Sequence, residues 1–227
     1  MKIELKYRGL VSFIVVLLFL SSNAFSQDKK IGFGLQGSPQ ITWIKPDNDK
    51  VIKNDGVKLG FGYGLMFDFR FGQNYSLMTG INVLGSSGRI EYQDSLEIPF
   101  IHDGINDTLP PSTITYKLGY LEIPIRLLLK TNEIGYMTYF GQFGIASQFN
   151  LKAKGDATAK NIANEDLSKE IRFLNMGLVI GGGFEYSLGG NTALVVALMY
   201  NNGFADILKD KEKATLKSIS LKLGVMF

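Results

Sequence analysis

The sequence predicts an all-β fold, namely an eight-stranded closed antiparallel up-and-down transmembrane β-barrel preceded by a cleaved signal peptide. Three observations predict it. Apolar residues recur at every second position over long segments, and the connections between these segments alternate between short and long. After the N-terminal segment, no apolar run approaches the roughly 20 residues that a membrane-spanning helix needs. Segments of alternating hydrophobicity separated by turn residues are typical of membrane barrels.

The N-terminal 26 residues have the parts of a secretion signal. A positively charged start, with Lys2, is followed by an apolar run of 11 residues, and the small residues Ala24 and Ser26 precede the expected cleavage site at Gln27. An N-terminal membrane anchor is the alternative, but this apolar run is shorter than a spanning helix. We therefore expect an exported chain whose residues 27–227 form one barrel domain.

The segment 57–71 shows the clearest alternation. Its odd positions are all apolar, and they are Val57, Leu59, Phe61, Tyr63, Leu65, Phe67, Phe69 and Phe71. Its even positions are mostly small or charged, and a period of two places the two sets on opposite faces of a strand. Strands of a soluble sandwich also alternate, but they are commonly about 5–6 residues long. The length of this segment therefore favours a tilted strand that crosses a membrane and projects beyond it.

Seven further segments repeat this pattern. The eight predicted strands cover about 30–43, 57–71, 75–92, 115–130, 136–151, 171–188 and 192–200, and the last strand ends at Phe227. The phase of the third becomes unclear after Gly85. Short connections alternate with long polar ones, as periplasmic turns alternate with extracellular loops in outer-membrane barrels. Because lipid does not tolerate an unpaired sheet edge, we expect the first strand to pair with the eighth.

The fourth predicted strand contains two irregular features. Tyr116, Leu118 and Tyr120 share a phase that changes at Leu121, which predicts a β-bulge near Gly119 to Leu121. Pro124 cannot donate a hydrogen bond to a neighbouring strand. We expect a bulge or another local irregularity at this proline.

The composition excludes several classes of function. The chain has no cysteine, which excludes disulfides, thiolate metal sites and a cysteine nucleophile. Outside the signal peptide, 21 basic and 20 acidic residues remain. This balance provides no electrostatic footprint for a nucleic acid partner.

Six charged residues fall on the phase that faces the barrel interior. They are Asp68, Arg70, Glu122, Arg126, Glu185 and Lys222. Eight strands enclose an interior just wide enough for side chains to fill, and buried charges must pair. We expect Asp68, Arg126 and Glu185 to form an ion-pair plug toward the periplasmic end. A structural polar core is favoured over a catalytic site, and a conducting pore is disfavoured.

Other motifs do not support catalysis or cofactor binding. Residues 32–37 match the glycine fingerprint of dinucleotide sites by letter, but no helix pattern follows, as that motif requires. His102 is the single histidine and lies in a long loop beside Asp103, where we expect it to be solvated. Loop carboxylates have no spacing that demands calcium, and they are Asp47, Asp49, Asp55, Asp103 and Asp107. We predict no catalytic residues, no cofactor and no metal site.

The segment Tyr120-Leu121-Glu122-Ile123-Pro124-Ile125-Arg126-Leu127-Leu128-Leu129-Lys130 carries a family resemblance. Together with the signal peptide, the aromatic and glycine-rich strands and the terminal Phe227, it resembles the PorT family of Bacteroidetes outer-membrane barrels. The resemblance implies an eight-stranded barrel. Founding members of that family are tied to protein secretion across the outer membrane by the type IX system, so secretion-system components are implied partners.

The C-terminal residue is a candidate assembly signal. Phe227 ends an alternating strand and resembles the aromatic tag that the barrel-assembly machinery reads, although it also suits an interfacial aromatic girdle. The sequence thus predicts a non-enzymatic outer-membrane barrel with periplasmic termini and long extracellular loops. Its expected partners are outer-membrane lipid and, during insertion, the assembly machinery. A lipid-modifying enzyme and a small porin are the alternative functions.

Overall fold

A computed structural model describes residues 30–47, 52–93, 96–97, 108–109, 112–158, 162–209 and 213–227. The predicted signal peptide, His102 and the loop carboxylates Asp49, Asp103 and Asp107 lie outside these residues. Within the described part of the chain, no helix is long and apolar enough to cross a membrane.

The described residues form β-strands joined by turns and loops. In chain order these strands are β1 (Ile31–Pro46), β2 (Ile52–Asn54), β3 (Lys58–Arg70), β4 (Tyr75–Tyr92), β5 (Leu96–Glu97), β6 (Thr108–Leu109), β7 (Ser112–Lys130), β8 (Met137–Ala157), β9 (Ile162–Asp166), β10 (Leu174–Gly189), β11 (Thr192–Gly203) and β12 (Ala214–Met226). The long strands β1, β3, β4, β7, β8, β10, β11 and β12 correspond to the eight predicted strands. The short strands lie within the long connections, where β2 pairs with β4, β9 with β8, and β5 with β6.

The eight long strands form one closed antiparallel barrel, as predicted. Each pairs with its neighbours along the chain, β8 pairs with β10, and β12 pairs with β1. The closing ladder runs from Gly34 opposite Met226 to Pro46 opposite Ala214. Closure leaves none of these eight strands with an unpaired edge, which a spanning sheet requires because an unsatisfied backbone group in hydrocarbon costs several kcal/mol.

The two ends of the barrel differ. At the turn end, β3–β4, β7–β8 and β10–β11 are joined by short connections, and the last of these turns at Gly189 and Gly190, whose positive φ angles suit glycine. At the loop end, several strands extend further than the sequence predicts. β1 continues to Pro46, β7 begins at Ser112 and β8 continues to Ala157. The barrel wall is therefore taller at the loop end than hydrophobic alternation alone suggested.

Partway along the barrel, the outer face of the strands changes from apolar to polar, and the inner face changes from polar to apolar. On β7 the even positions face inward along the whole strand. Toward the turn end, the outward positions are apolar, as in Ile123 and Ile125; toward the loop end they are polar, as in Thr115 and Lys117. Inward residues change in the opposite sense, from Arg126 to the buried Tyr120.

The change of phase predicted at Leu121 is therefore wrong for β7. The side chains alternate without interruption, and what changes is the residue type that each face carries. The predicted irregularity does occur between Gly119 and Tyr120, where the register shifts, but the extra residue is on β8, since Gly119 pairs with Lys152 and Tyr120 with Asn150. The phase of β4 beyond Gly85 is likewise continuous to the buried Tyr92.

Pro124 interrupts one ladder without a register shift. On the β8 side it pairs with Ala146. On the β4 side the ladder passes from Thr79 opposite Ile125 to Asn82 opposite Glu122, with the same register before and after the proline. The Thr79 hydroxyl donates a hydrogen bond to the Pro124 carbonyl at 2.8 Å. The irregularity predicted at Pro124 is thus a local gap in pairing, as expected for a residue without an N–H.

Candidate functional site in the barrel lumen and head

The loop end of the barrel is filled by an apolar core, which we call the head core. Its buried members come from the extended ends of the strands and from the loops, and they are Ile44, Ile52, Leu84, Ile90, Tyr92, Ile114, Tyr116, Leu118, Tyr120, Ala153, Ala157, Leu167, Ile171, Ile207, Leu208, Ala214 and Leu216. The hydroxyls of Tyr92 and Tyr116 form a 2.7 Å hydrogen bond inside it. Because the outer face at this level is polar, this part has the organisation of a water-soluble barrel, and we call it the head.

The boundary between the head and the apolar-surfaced part follows one row of paired residues. Val83, Leu121 and Phe149 lie side by side on β4, β7 and β8. One row further toward the loop end, Gly85 pairs with Gly119, which pairs with Lys152. The change of residue type therefore follows one continuous line across three neighbouring strands.

Below the head core lies a polar cavity, which we call the lumen cavity. It holds about 40 Å³ of space for water-sized molecules, which is room for a few of them. Its lining includes Glu122 and Arg126 of β7, Lys222 of β12 and Asn82 of β4. The Glu122 carboxylate accepts hydrogen bonds from Asn82 Nδ2 at 3.0 Å and from Gln148 Nε2 at 2.8 Å. Three of the six predicted interior charges therefore line one cavity.

A second apolar layer separates the lumen cavity from the turn end. This lower core contains the buried side chains of Met66, Met78, Leu128, Phe140 and Met226, with further residues of β8, β10 and β11. Along β7, the inward side chains from the turn end are Lys130, Leu128, Arg126, Pro124, Glu122 and Tyr120. The described interior is thus stacked in alternating charged and apolar layers.

An ion-pair cluster closes the turn end. Lys130 Nζ lies 3.0 Å from Asp68 Oδ2 and 2.8 Å from Glu185 Oε1, and Arg70 Nε lies 3.2 Å from Asp68 Oδ2. The side chain of Asp68 is 0% exposed and that of Lys130 is 9% exposed. The cation that joins the two acids is therefore Lys130. The predicted participation of Arg126 is wrong, because Arg126 lies in the lumen cavity.

The six predicted interior charges fall into two groups in the structure. Asp68, Arg70 and Glu185 meet at the turn end, whereas Glu122, Arg126 and Lys222 line the lumen cavity. The sequence did not predict the central role of Lys130, although Lys130 falls on the inward-facing positions of its strand. The sequence also did not reveal the amides that bind Glu122. Nothing in the sequence distinguishes an inward polar residue that hydrogen-bonds to a charge from one that only fills space.

Aromatic residues pair on the outer face near both ends of the apolar band. Toward the turn end, Phe33 packs on Phe227 with ring centroids 5.3 Å apart, and Tyr136 packs on Tyr186 at 6.2 Å. Near the head, Phe149 packs on Phe173 at 5.7 Å. Aromatic girdles at both interfaces are typical of outer-membrane barrels.

The described loop residues show no metal site. Among them, no group of three or more histidine, cysteine or acidic side chains is arranged to hold a metal ion. Asp55 is paired with Arg89, at 3.5 Å. The hydroxyl and the backbone N–H of Ser168 donate to the Asp166 carboxylate at 2.6 and 2.9 Å and hold the pKa of Asp166 below its ordinary value. These acids therefore serve loop structure.

Comparisons with known proteins match the chain to one family model and to several solved structures. The model of the family described as "Outer membrane protein beta-barrel domain" matches residues 25–209. Neisserial surface protein A is 11% identical over 87% of this chain and 96% of its own, with a TM-score of 0.48. Ail of Yersinia pestis is 16% identical over 87% and 97%, with a TM-score of 0.39, and OprG of Pseudomonas aeruginosa is 15% identical over 87% and 97%, with a TM-score of 0.43. No curated protein sequence matches the chain.

Proposed function

Because the chain belongs to this family of outer membrane protein β-barrel domains, we propose that it is a non-enzymatic barrel whose head displays the loops at the cell surface, in support of protein secretion or envelope integrity. In such barrels the short turns face the periplasm and the longer loops face outward. The observation that carries the proposal is the inversion of strand faces at the row Val83, Leu121 and Phe149. Above that row, the barrel wall is built to stand in water with its own apolar core.

A stable head suits display better than transport. The head core and the lower core occupy the lumen on both sides of the lumen cavity. An eight-stranded barrel has little interior beyond what side chains fill. We therefore expect the purified barrel to show no stable conductance in a planar bilayer. A steady open channel would favour the small-porin alternative instead.

The secretion role rests on the resemblance of the Tyr120–Lys130 segment to the PorT family, which makes secretion-system components the proposed partners. The test is a deletion strain whose secreted proteins are compared with those of the parent. We expect secretion to be restored by the native chain and by an outer-face variant, Gly141→Ala, but not by a chain whose 93–111 connection is replaced by a short glycine-serine linker. Unchanged secretion in the deletion strain would leave envelope integrity, measured by detergent sensitivity, as the role.

The lipid-modifying alternative needs either His102 or a carboxylate dyad beside a serine, and its His102 form can be tested directly. A Ser-His-acid site needs a histidine within hydrogen-bond reach of its partners. If the barrel is non-enzymatic, His102→Ala restores the deletion strain as well as the native chain does. Loss of the restored phenotype in His102→Ala, with a normal level of folded barrel, would favour the enzyme.

Phe227 is proposed as the signal for barrel assembly. Its backbone N–H donates to the Phe33 carbonyl at 2.7 Å, and its ring packs on Phe33, so it also lies at the closing seam. The two roles separate experimentally. If Phe227 is read by the assembly machinery, Phe227→Ala lowers the amount of barrel in the outer membrane in cells, while spontaneous refolding in detergent stays close to that of the native chain. Equal losses in both settings would indicate a packing role alone.

A further inference from the structure

We propose that the lumen cavity is a binding site for a small monovalent inorganic anion of the size of chloride, held between Arg126 and Lys222. The inference goes beyond the proposed function and does not depend on it. It rests on charge, burial and the size of the cavity.

The charges that line the cavity do not balance. Arg126 and Lys222 contribute two positive charges, and Glu122 contributes one negative charge. Both oxygens of Glu122 accept hydrogen bonds from neutral amides, those of Asn82 and Gln148. Within the described residues, neither cation lies within 4.0 Å of a carboxylate oxygen. The carboxylate is therefore held away from direct pairing, and with Arg126 and Lys222 both protonated one positive charge is uncompensated.

Both cations are deeply buried and have free donors. Arg126 and Lys222 are each 4% exposed. Arg126 Nε and Nη2 and Lys222 Nζ have no hydrogen-bond partner among the described residues. A buried cation without a partner is costly, and buried charges are found paired or bound to ions. A negatively charged acceptor inside the barrel would satisfy these donors and balance the charge.

The two cations approach from opposite walls. Arg126 is on β7 and Lys222 is on β12, and three strands, β1, β3 and β4, separate them around the barrel. Hydroxyl and amide side chains also line the space, among them Ser218, Ser220 and Gln40. An anion between the two cations would accept hydrogen bonds from both sides. This arrangement suits a spherical ion that has no directional preference.

The size of the cavity selects the class of anion. A volume of about 40 Å³ holds a few water molecules or one halide, which is only slightly larger than water, together with water. It does not hold a nucleotide or a sugar phosphate. Since the cavity lies between the head core and the lower core, the ion is a structural part of the folded barrel.

The test is to refold the full barrel from urea in the presence of bromide, which serves as a heavier probe for the proposed halide. Crystals of the refolded barrel are expected to show an anomalous bromide peak within hydrogen-bond distance of Arg126 and Lys222. The unfolding midpoint is expected to rise with bromide concentration, at ionic strength matched by gluconate. In Lys222→Met, the bromide peak is expected to disappear and the midpoint to need more than about ten times as much bromide for the same rise, because one of the two cations is lost.

Two further variants keep the outcome decisive. Lys217→Met changes the same residue type on the same strand, but on the outer face, so it should respond to bromide as the native barrel does. Glu122→Gln removes the competing negative charge and should bind bromide more tightly. The proposal is overturned if no bromide peak appears in the native barrel, or if the native barrel, Lys222→Met and Glu122→Gln all respond equally to bromide.

Discussion

Trp43 on β1 stacks on Tyr200 on β11 at the outer face of the barrel, with ring centroids 6.4 Å apart and ring planes 24° from parallel. The next residue, Ile44, points inward and is completely buried in the head core. The pair therefore lies where the apolar outer surface gives way to the polar surface of the head. Aromatic residues concentrate at such interfaces because their rings are apolar and their N–H and O–H groups can contact water.

Trp43 is the single tryptophan of the chain, so its fluorescence reports this interface directly. In bilayers whose lipids are brominated at different depths, we expect the strongest quenching by bromines close to the headgroup. Tyr200→Phe should leave this depth profile unchanged, since the stacked ring is kept. Strongest quenching by bromines at the ends of the lipid acyl chains would place Trp43 near the bilayer centre. That result would contradict the position given to the boundary between the head and the apolar-surfaced part.

The head core should contribute to stability as the core of a soluble protein does. Ile44→Ala leaves a cavity in it, and such substitutions cost about 2–5 kcal/mol. Ile41, on the outer face of the same strand, is exposed, and in lipid its side chain contributes less than about 1 kcal/mol. Reversible urea unfolding in bilayers measures both free energies of unfolding. Equal effects of Ile44→Ala and Ile41→Ala would show that the loop end is not packed as described.

Gly144 permits close pairing of β8 with β7. A Cβ atom on Gly144 would lie 2.1 Å from the Ile125 carbonyl oxygen, which belongs to rigid backbone. We expect Gly144→Ala to lower the yield of folded barrel sharply, as seen in the mobility of unheated samples on gels. Gly141, on the outer face of the same strand, has no atom within 4 Å of such a Cβ. Gly141→Ala is the matched control and should fold normally, and similar yields for both would contradict the close approach.

Lys130 neutralises two acids at the turn end. Lys130→Met leaves the buried Asp68 without its closest ammonium partner, and breaking a buried pair in this way costs about 3–5 kcal/mol. The expected result is a large loss in the free energy of unfolding, partly restored by adding Asp68→Asn and Glu185→Gln. Lys152→Met, on the exposed face of β8, should change it little. An unchanged stability in Lys130→Met would mean that the cluster does not hold the barrel closed.

The barrel could be predicted from the sequence because its signal is local. Alternation along 57–71 and the regular succession of short and long connections indicate strand number, direction and closure without any knowledge of contacts. The bounds at the loop end could not be predicted equally well. There the outward residues become polar and the inward ones apolar. The apolar residues Tyr116 and Tyr120 therefore suggested a change of strand phase, although they face inward like the rest of their phase and only the environment of the outer face changes.

What the sequence by itself determined was which residues share a face, because a strand alternates with period two whatever surrounds it. Only the tertiary structure decided what each face meets and which charges meet inside. Lys130 reaches Asp68 and Glu185, while Arg126 faces Lys222 across the lumen cavity, because the stagger of neighbouring strands in a closed barrel sets the height of each residue. That stagger is a property of the whole ring of strands, and no single segment encodes it.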